Sequence, residues 1–384
     1  MRAILAICLF VPFSPCLYSA EPETGSKKIT ATLQPFVDSH SLAGAVTLVA
    51  DKDKVLSVDT VGFADIAAKK PMKANSLFWV ASMTKPITGV AMMILVDEGK
   101  VSLDDPIDKH LPEFKSLWLA VEQDKDHILL KKPNRMPTVR DVLNHTSGMV
   151  FRSAMEQPTI DVLPLRDAVR SYSITPLQTE PGTKYQYSNA GINTAGRIIE
   201  VVSGMSYEDF LDKRLFGPLG MKDTTFWPNA EQLKRLAKSY RPTKDKNGLE
   251  ETTVTALRYP LDDRSRYPVP GGGLFSTAGD IGRLCQMVLN GGTFNSKRIL
   301  TEEAIKQLTS KQTAESLKDN YGLGWSTGAT FGHGGAYATN MTINPKSGLV
   351  MVFMVQHNGF AGDGGKSLGA FRATAEEQFG NLKK

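Results

Sequence analysis

Ser82 and Lys85 stand three residues apart in Ser82-Met83-Thr84-Lys85, the only Ser-x-x-Lys in the chain. On a helix, positions i and i+3 share a face with Cβ atoms about 5–6 Å apart. An amine there can take the hydroxyl proton as the oxygen attacks a carbonyl, which is the chemistry of acyl transfer. Taken alone, the pair also fits a serine that caps a helix and a lysine in solvent. Tyr187-Ser188-Asn189, the only Tyr-x-Asn, follows the turn signal Pro181-Gly182-Thr183. A tyrosine can relay protons, and an asparagine amide can orient a lysine or bind a substrate carbonyl. Gly332-His333-Gly334-Gly335-Ala336 precedes a run with strand character. Adjacent glycines let a substrate backbone approach a strand edge, and the Ala336 amide can complete an oxyanion hole with that of Ser82. Structural alternatives stand beside both: an ordinary loop for Tyr-x-Asn, and a glycine bulge with a surface histidine.

The elements that must position these groups are legible in outline. Ile87, Val90, Ala91, Ile94 and Leu95 recur at helical spacing and Gly99 follows as a stop, which predicts a strongly amphipathic helix with one core-directed face. Pro86 is tolerated only near a helix start, so Ser82 falls close to the first turn. There its N–H lacks an intrahelical acceptor and is free for a developing oxyanion. Ala45–Ala50 and Val55–Phe63, separated by Asp51-Lys52-Asp53-Lys54, predict a hairpin. A second is predicted from Ala336–Ile343 and Leu349–Val355, the latter apolar throughout and so buried on both faces. Asp363–Gly380 reads as a closing helix. The predicted fold class is mixed α/β (α+β): an antiparallel sheet from both chain ends, about 30–101 and 256–384, covered by helices, with an α-rich insertion over about 102–255. The active site is expected at the junction of the two.

Composition narrows the function. With 384 residues the chain can bury a substantial core, and 41% hydrophobic with 22% charged residues are ordinary globular values. The net charge of +5 is spread without basic runs, which argues against nucleic acid as a partner. Residues 1–20 read as a secretory signal, with Arg2, an apolar stretch from Ala3 to Phe13, and Ser19-Ala20 before the acidic Glu21-Pro22-Glu23. That stretch is shorter than the roughly 20 residues that span a bilayer. The mature chain, from about residue 25, is therefore expected to be periplasmic or secreted, with no transmembrane span. Cys8 and Cys16 lie in the leader, so Cys285 is left alone, in a helix-like setting that suits a buried small hydrophobe.

In order, Ser-x-x-Lys, Tyr-x-Asn and a His-Gly-Gly strand resemble the serine β-lactamase and penicillin-binding-protein superfamily, in its class C-like branch that includes family VIII carboxylesterases. Leu143-Asn144-His145-Thr146-Ser147-Gly148, Gly271-Gly272-Gly273 with the run to Asp280, and Tyr321-Gly322-Leu323-Gly324-Trp325 look like that branch too. The resemblance runs from about Ser39 to Phe379. It implies the β-lactamase-like fold and an acyl-enzyme on Ser82. Lys85 is implied as base or pKa-lowering partner, Tyr187 as proton relay, and Asn189 as a contact to substrate and lysine; which of Lys85 and Tyr187 takes the first proton stays open. His333, Gly334, Gly335 and Ala336 would line the substrate site, with no cofactor and no metal.

The third motif departs from the commoner Lys-Thr-Gly, since His333 replaces the lysine and Gly334 the hydroxyl residue. A grip on a carboxylate loses a charge and a donor there. A carboxylesterase on small neutral esters is therefore favoured over a D-alanyl-D-alanine carboxypeptidase or weak β-lactamase, and over a non-catalytic cell-envelope binding module. The expected partner is a small ester, peptide or β-lactam. Decoys are set aside: Gly365-Lys366-Ser367-Leu368-Gly369 has no histidine after it for a hydrolase elbow and no upstream glycine for a phosphate loop, and Lys346-Ser347-Gly348 lies in a hairpin turn. His145 is expected to be structural.

Overall fold

A computed structural model describes residues 25–380, so the leader assigned to residues 1–20, with Cys8 and Cys16, lies outside the described residues. Helix α1 (Lys27–Asp38) is capped by Ser26, whose Oγ accepts the Ile29 N–H at 3.2 Å. Strands β1 (Gly44–Ala50) and β2 (Val55–Asp65) form the expected first hairpin, and β3 (Lys70–Pro71) adds an edge. Next come helices α2 (Thr84–Asp97), α3 (Asn189–Ser203) and α4 (Ala278–Leu289). The chain then returns through β4 (Phe331–Gly334), β5 (Asn340–Asn344) and β6 (Leu349–Met354) to α5 (Ser367–Phe379). The six strands form one antiparallel sheet in the order β4-β5-β6-β1-β2-β3, so both chain ends build it.

β1 and β6 sit in the middle and pair with Val46 opposite Met354 and Val49 opposite Met351. Every residue of both strands is buried. Ala45, Val49, Met351 and Phe353 pack toward α1 and α5, whereas Val46, Leu48, Val350 and Val352 join the larger core that contains α4. Covering the sheet on both sides is what turns β6 into an uninterrupted apolar run.

Two expectations need correction. The helix α2 is not amphipathic: every residue from Thr84 to Leu95 is buried, so it runs through the core. Its polar positions are satisfied internally; the Thr84 hydroxyl donates to the Ala81 carbonyl at 2.7 Å and that of Thr88 to the Pro270 carbonyl at 2.9 Å. Second, the His333-Gly334 segment does not precede a strand but forms one, the edge strand β4, and the run beginning at Ala336 starts as the turn into β5. Glycines at 332 and 334 leave no alternating side-chain pattern to mark that strand.

The decoys are held structurally. Ser367 is fully buried and donates to the Gly364 carbonyl at 2.6 Å, and Ser347 bonds Glu376 at 3.1 Å. Cys285 is fully buried in α4 with its Sγ 3.6 Å from the Met341 sulfur. Among the described residues no helix is long and apolar enough to cross a membrane.

Candidate active site

A one-turn 3-10 segment, Ala81–Met83, feeds α2, so Ser82 sits just ahead of the helix and Lys85 in its first turn. Ala81 adopts a φ of +47°, an uncommon conformation for a residue with a Cβ. The Val80 N–H bonded to Leu274 O at 3.0 Å and the Thr84 hydroxyl on Ala81 O hold it there. Lys85 is fully buried, with Nζ 3.0 Å from Ser82 Oγ, 2.5 Å from the Gly271 carbonyl and 4.7 Å from the centre of the Tyr187 ring. Burial disfavours the ammonium and brings its pKa down to about 7. Burial pushes the Tyr187 phenol the other way, well above its ordinary range, against a weaker opposing effect of the Ser82 hydroxyl. Near neutral pH the amine therefore titrates while the phenol stays protonated.

Tyr187 and Asn189 are fixed by the start of α3. Ser188 caps that helix, its Oγ accepting the Gly191 N–H at 2.9 Å and donating to Val150 O at 2.7 Å. The Ser188 N–H donates to His145 Nδ1 at 3.1 Å. Because Nδ1 accepts, the neutral His145 carries its proton on Nε2. Burial, and after it the neighbouring Lys85 ammonium, hold its pKa well below the usual imidazole range. The ring lies 4.4 Å from that of Tyr187 and 4.7 Å from that of Tyr321, centre to centre, so His145 packs between the two tyrosines and holds the Tyr187 segment through the Ser188 N–H.

The lysine contact expected of Asn189 is made instead by the Gly271 carbonyl. Asn189 packs its side chain on Gly271, where an added Cβ would lie 2.9 Å from Asn189 Oδ1. That Oδ1 is buried and has no hydrogen-bond partner among the described residues. One turn along α3, Asn193 Oδ1 accepts the Gly271 N–H at 2.9 Å and its Nδ2 donates to the Tyr172 hydroxyl at 2.9 Å. Tyr172 in turn donates to Glu156 at 2.8 Å. Asn193 thus anchors, through the Gly271 N–H, the residue whose carbonyl holds Lys85, a role sequence reasoning missed; its only signal is the i+4 spacing from Asn189.

Across the cleft, His333 is nearly buried on β4. Its Nδ1 is 2.6 Å from Gly334 O and its Nε2 is 2.9 Å from the Tyr321 hydroxyl. A carbonyl only accepts, so Nδ1 carries the proton and Nε2 accepts from the phenol. Burial, followed by the Lys85 charge, brings the His333 pKa down to about 3, which leaves the ring neutral at physiological pH. Gly334 is exposed. At Gly335 an added Cβ would lie 2.1 Å from Thr339 Oγ1 and 2.5 Å from the Val80 carbonyl, so only glycine lets this turn press against the segment leading to Ser82. Neither the Ser82 nor the exposed Ala336 amide makes a backbone hydrogen bond among the described residues. Gly335→Ala is expected to shift the turn and lower kcat by about 10²-fold, because small misplacements of positioning groups cost that much. The check is kcat on a p-nitrophenyl ester alongside the thermal midpoint.

Ser82, Lys85, Tyr187, Asn189, His333, Gly334, Gly335 and Ala336 therefore come from three separate parts of the chain onto one cleft: the α2 entry, the α3 start and the sheet edge. The chain is 31% identical over 370 residues to the protein Rv1367c of Mycobacterium tuberculosis, covering 85% of this chain and 89% of that one. It is 28% identical over 298 residues to esterase EstB of Burkholderia gladioli, covering 71% and 72% of the two. Among solved structures, EstCE1, described as a hydrolase with promiscuous acyltransferase activity, superposes with a TM-score of 0.76 at 22% identity over 91% of this chain and 97% of that one, which shows the shared fold. A family model described as Beta-lactamase matches residues 29–373, and the chain belongs to that family of serine hydrolases with the β-lactamase fold.

Proposed function

We propose that this protein is a carboxylesterase for small neutral esters that works through a covalent acyl-enzyme on Ser82. The observation that carries the preference for neutral substrates is His333, locked uncharged between Tyr321 and the Gly334 carbonyl, beside a Gly334 that has no hydroxyl. In the proposed reaction the unprotonated Lys85 amine donates an N–H to Gly271 O and turns its lone pair toward Ser82 Oγ. It accepts the serine proton as Oγ bonds to the ester carbon. The resulting oxyanion is met by the Ser82 and Ala336 amides. Collapse expels the alcohol, which takes a proton delivered from Lys85 through the Tyr187 phenol. Water then attacks the acyl-enzyme by the same route in reverse, releasing the acid and restoring the serine. In this reading the Asn189 amide holds the carbonyl side of the substrate. EstB, an esterase by name, is consistent with this substrate class.

One observation favours the D-alanyl-D-alanine carboxypeptidase or β-lactamase alternative. Arg372 Nη2 bonds Asn340 Oδ1 at 2.7 Å and also Thr342 Oγ1, and the side chain makes no ion pair with a carboxylate among the described residues. It lines a 150 Å³ recess together with His333 and Gly334. A substrate carboxylate could be met there. The wild-type enzyme is expected to show a kcat/KM for a short-chain p-nitrophenyl ester well above those for nitrocefin and a D-Ala-D-Ala peptide, and Arg372→Met is expected to leave ester turnover within about twofold. A wild type that prefers peptide or β-lactam, with Arg372→Met lowering that activity by about tenfold or more, would establish the alternative. Residues 1–20 support an exported, periplasmic or secreted protein, and the N-terminal mass of protein recovered from the periplasm or medium checks it.

A further inference from the structure

A cavity of about 340 Å³ opens beside the short hairpin formed by Ser239–Pro242 and Leu249–Thr252, and none of the residues of the Ser82 cleft lines it. Leu236, Val254, Pro260 and Leu261 give it an apolar wall. Its charges sit at the rim, where Lys238 Nζ meets Glu251 Oε1 at 2.6 Å with both side chains about half exposed and Asp262 is exposed beside them. An ionic ligand would find no buried counter-charge inside.

Of its uncharged polar lining residues, which include Ser239, Thr252 and Thr253, the most deeply buried is Gln356, only 2% exposed. Its Oε1 accepts the Trp79 N–H at 2.9 Å, which fixes the amide with its nitrogen on the opposite side. Nε2 is buried and has no protein partner among the described residues. Buried amide donors are almost always satisfied, so this one points to an acceptor supplied from outside the chain. Tyr259 adds a second donor at the cavity wall: its Oη accepts the Val254 N–H at 3.0 Å and keeps its own hydrogen free to donate. Trp79 is itself held by its indole N–H on Gly272 O at 2.8 Å and by the Tyr337 ring, 5.2 Å away centre to centre in an edge-on arrangement.

We propose that this cavity is a binding site, separate from the Ser82 cleft, for a small uncharged molecule that carries one carbonyl on an apolar chain, with the carbonyl oxygen on Gln356 Nε2. The volume equals that of about ten water molecules, at the small end of ligand pockets and suited to roughly ten non-hydrogen atoms. A charged head group would sit against the apolar wall unpaired, and a pure hydrocarbon would leave the Gln356 donor unmet.

The test uses the full chain and 2-nonanone, a ketone of matching size that a hydrolase cannot cleave. Crystals are soaked with it, and binding is titrated calorimetrically to wild type, Thr252→Trp and Gln356→Glu. Thr252→Trp fills the cavity from the surface hairpin; Gln356→Glu keeps the acceptor for Trp79 but removes the donors. The expected result is one ketone in the cavity with its oxygen on Gln356 Nε2, no binding to Thr252→Trp, and affinity lowered about tenfold or more in Gln356→Glu. Circular dichroism and thermal midpoints verify that the variants fold, and the soaked wild-type crystal decides the matter if they do not. Water alone on Nε2 at saturating ketone, ketone bound only at Ser82, or wild-type affinity in both folded variants would overturn the assignment.

Discussion

Ser82→Ala is expected to lower kcat/KM for a p-nitrophenyl ester by about 10³–10⁶-fold, the range set by removing the nucleophile from other serine hydrolases. The loss follows from the geometry. Ser82 Oγ lies 3.0 Å from Lys85 Nζ, and the nearby Thr84 and Thr88 hydroxyls are tied to the Ala81 and Pro270 carbonyls, so neither is free to replace it. The variant should fold, because Ser82 is only half-buried and loses one oxygen. Intact-mass labelling with a fluorophosphonate supplies the companion measurement: wild type gains one adduct and Ser82→Ala gains none. Retained turnover in a folded Ser82→Ala protein would remove Ser82 from the mechanism. Failure of the wild type to label with either a fluorophosphonate or a penicillin would favour the non-catalytic binding module.

The second large effect concerns Lys85. Its amine is fully buried and its pKa is brought to about 7, so kcat/KM should rise as pH climbs through that value and the lone pair becomes available. Lys85→Arg keeps a positive charge but holds its proton across the accessible pH range, so activity should fall by about 10²–10⁴-fold and the rise near pH 7 should vanish. A near-wild-type Lys85→Arg enzyme would show that charge alone suffices. Stability offers a check that needs no substrate. The folded pKa of about 7 lies below the ordinary 10.5, so between these values the unfolded chain binds more protons than the folded one. The Lys85 contribution therefore favours folding more as pH rises from about 7 toward 10.5, and its penalty is fully present below about 7. Lys85→Met, which removes the ionisable group, should be more stable than wild type at pH 7 by about 1–4 kcal/mol, with the difference shrinking toward pH 10. Denaturant titrations at both pH values measure it.

The groups that carry the chemistry were legible in the sequence because they are side chains whose types and local spacing have few other uses. Ser82 and Lys85 meet across one helical turn, a distance fixed by covalent connectivity and helix geometry alone. The β1–β2 hairpin and the buried strand β6 were likewise visible, since alternation and uninterrupted apolar runs report how many faces of a strand are covered. What only the tertiary structure decided is carried by backbone groups and by distant residues. The acceptor that orients the Lys85 amine is the carbonyl of Gly271, 186 residues away, and a carbonyl has the same signature at every position. Asn193 anchors Gly271 through its backbone N–H, and Tyr321 fixes the His333 tautomer; both act through hydrogen bonds that no spacing encodes. The edge strand β4 was hidden because its glycines erase the alternation by which a strand is recognised. The burial of α2 on every side was hidden as well: its apolar spacing marks one core-directed face, and only the tertiary fold brings in the Pro270 and Gly271 carbonyls that satisfy Thr88 and Lys85. Sequence periodicity records what each element prefers locally, whereas the lowered Lys85 pKa and the neutral His333 arise from desolvation, which exists only once the surrounding elements have packed.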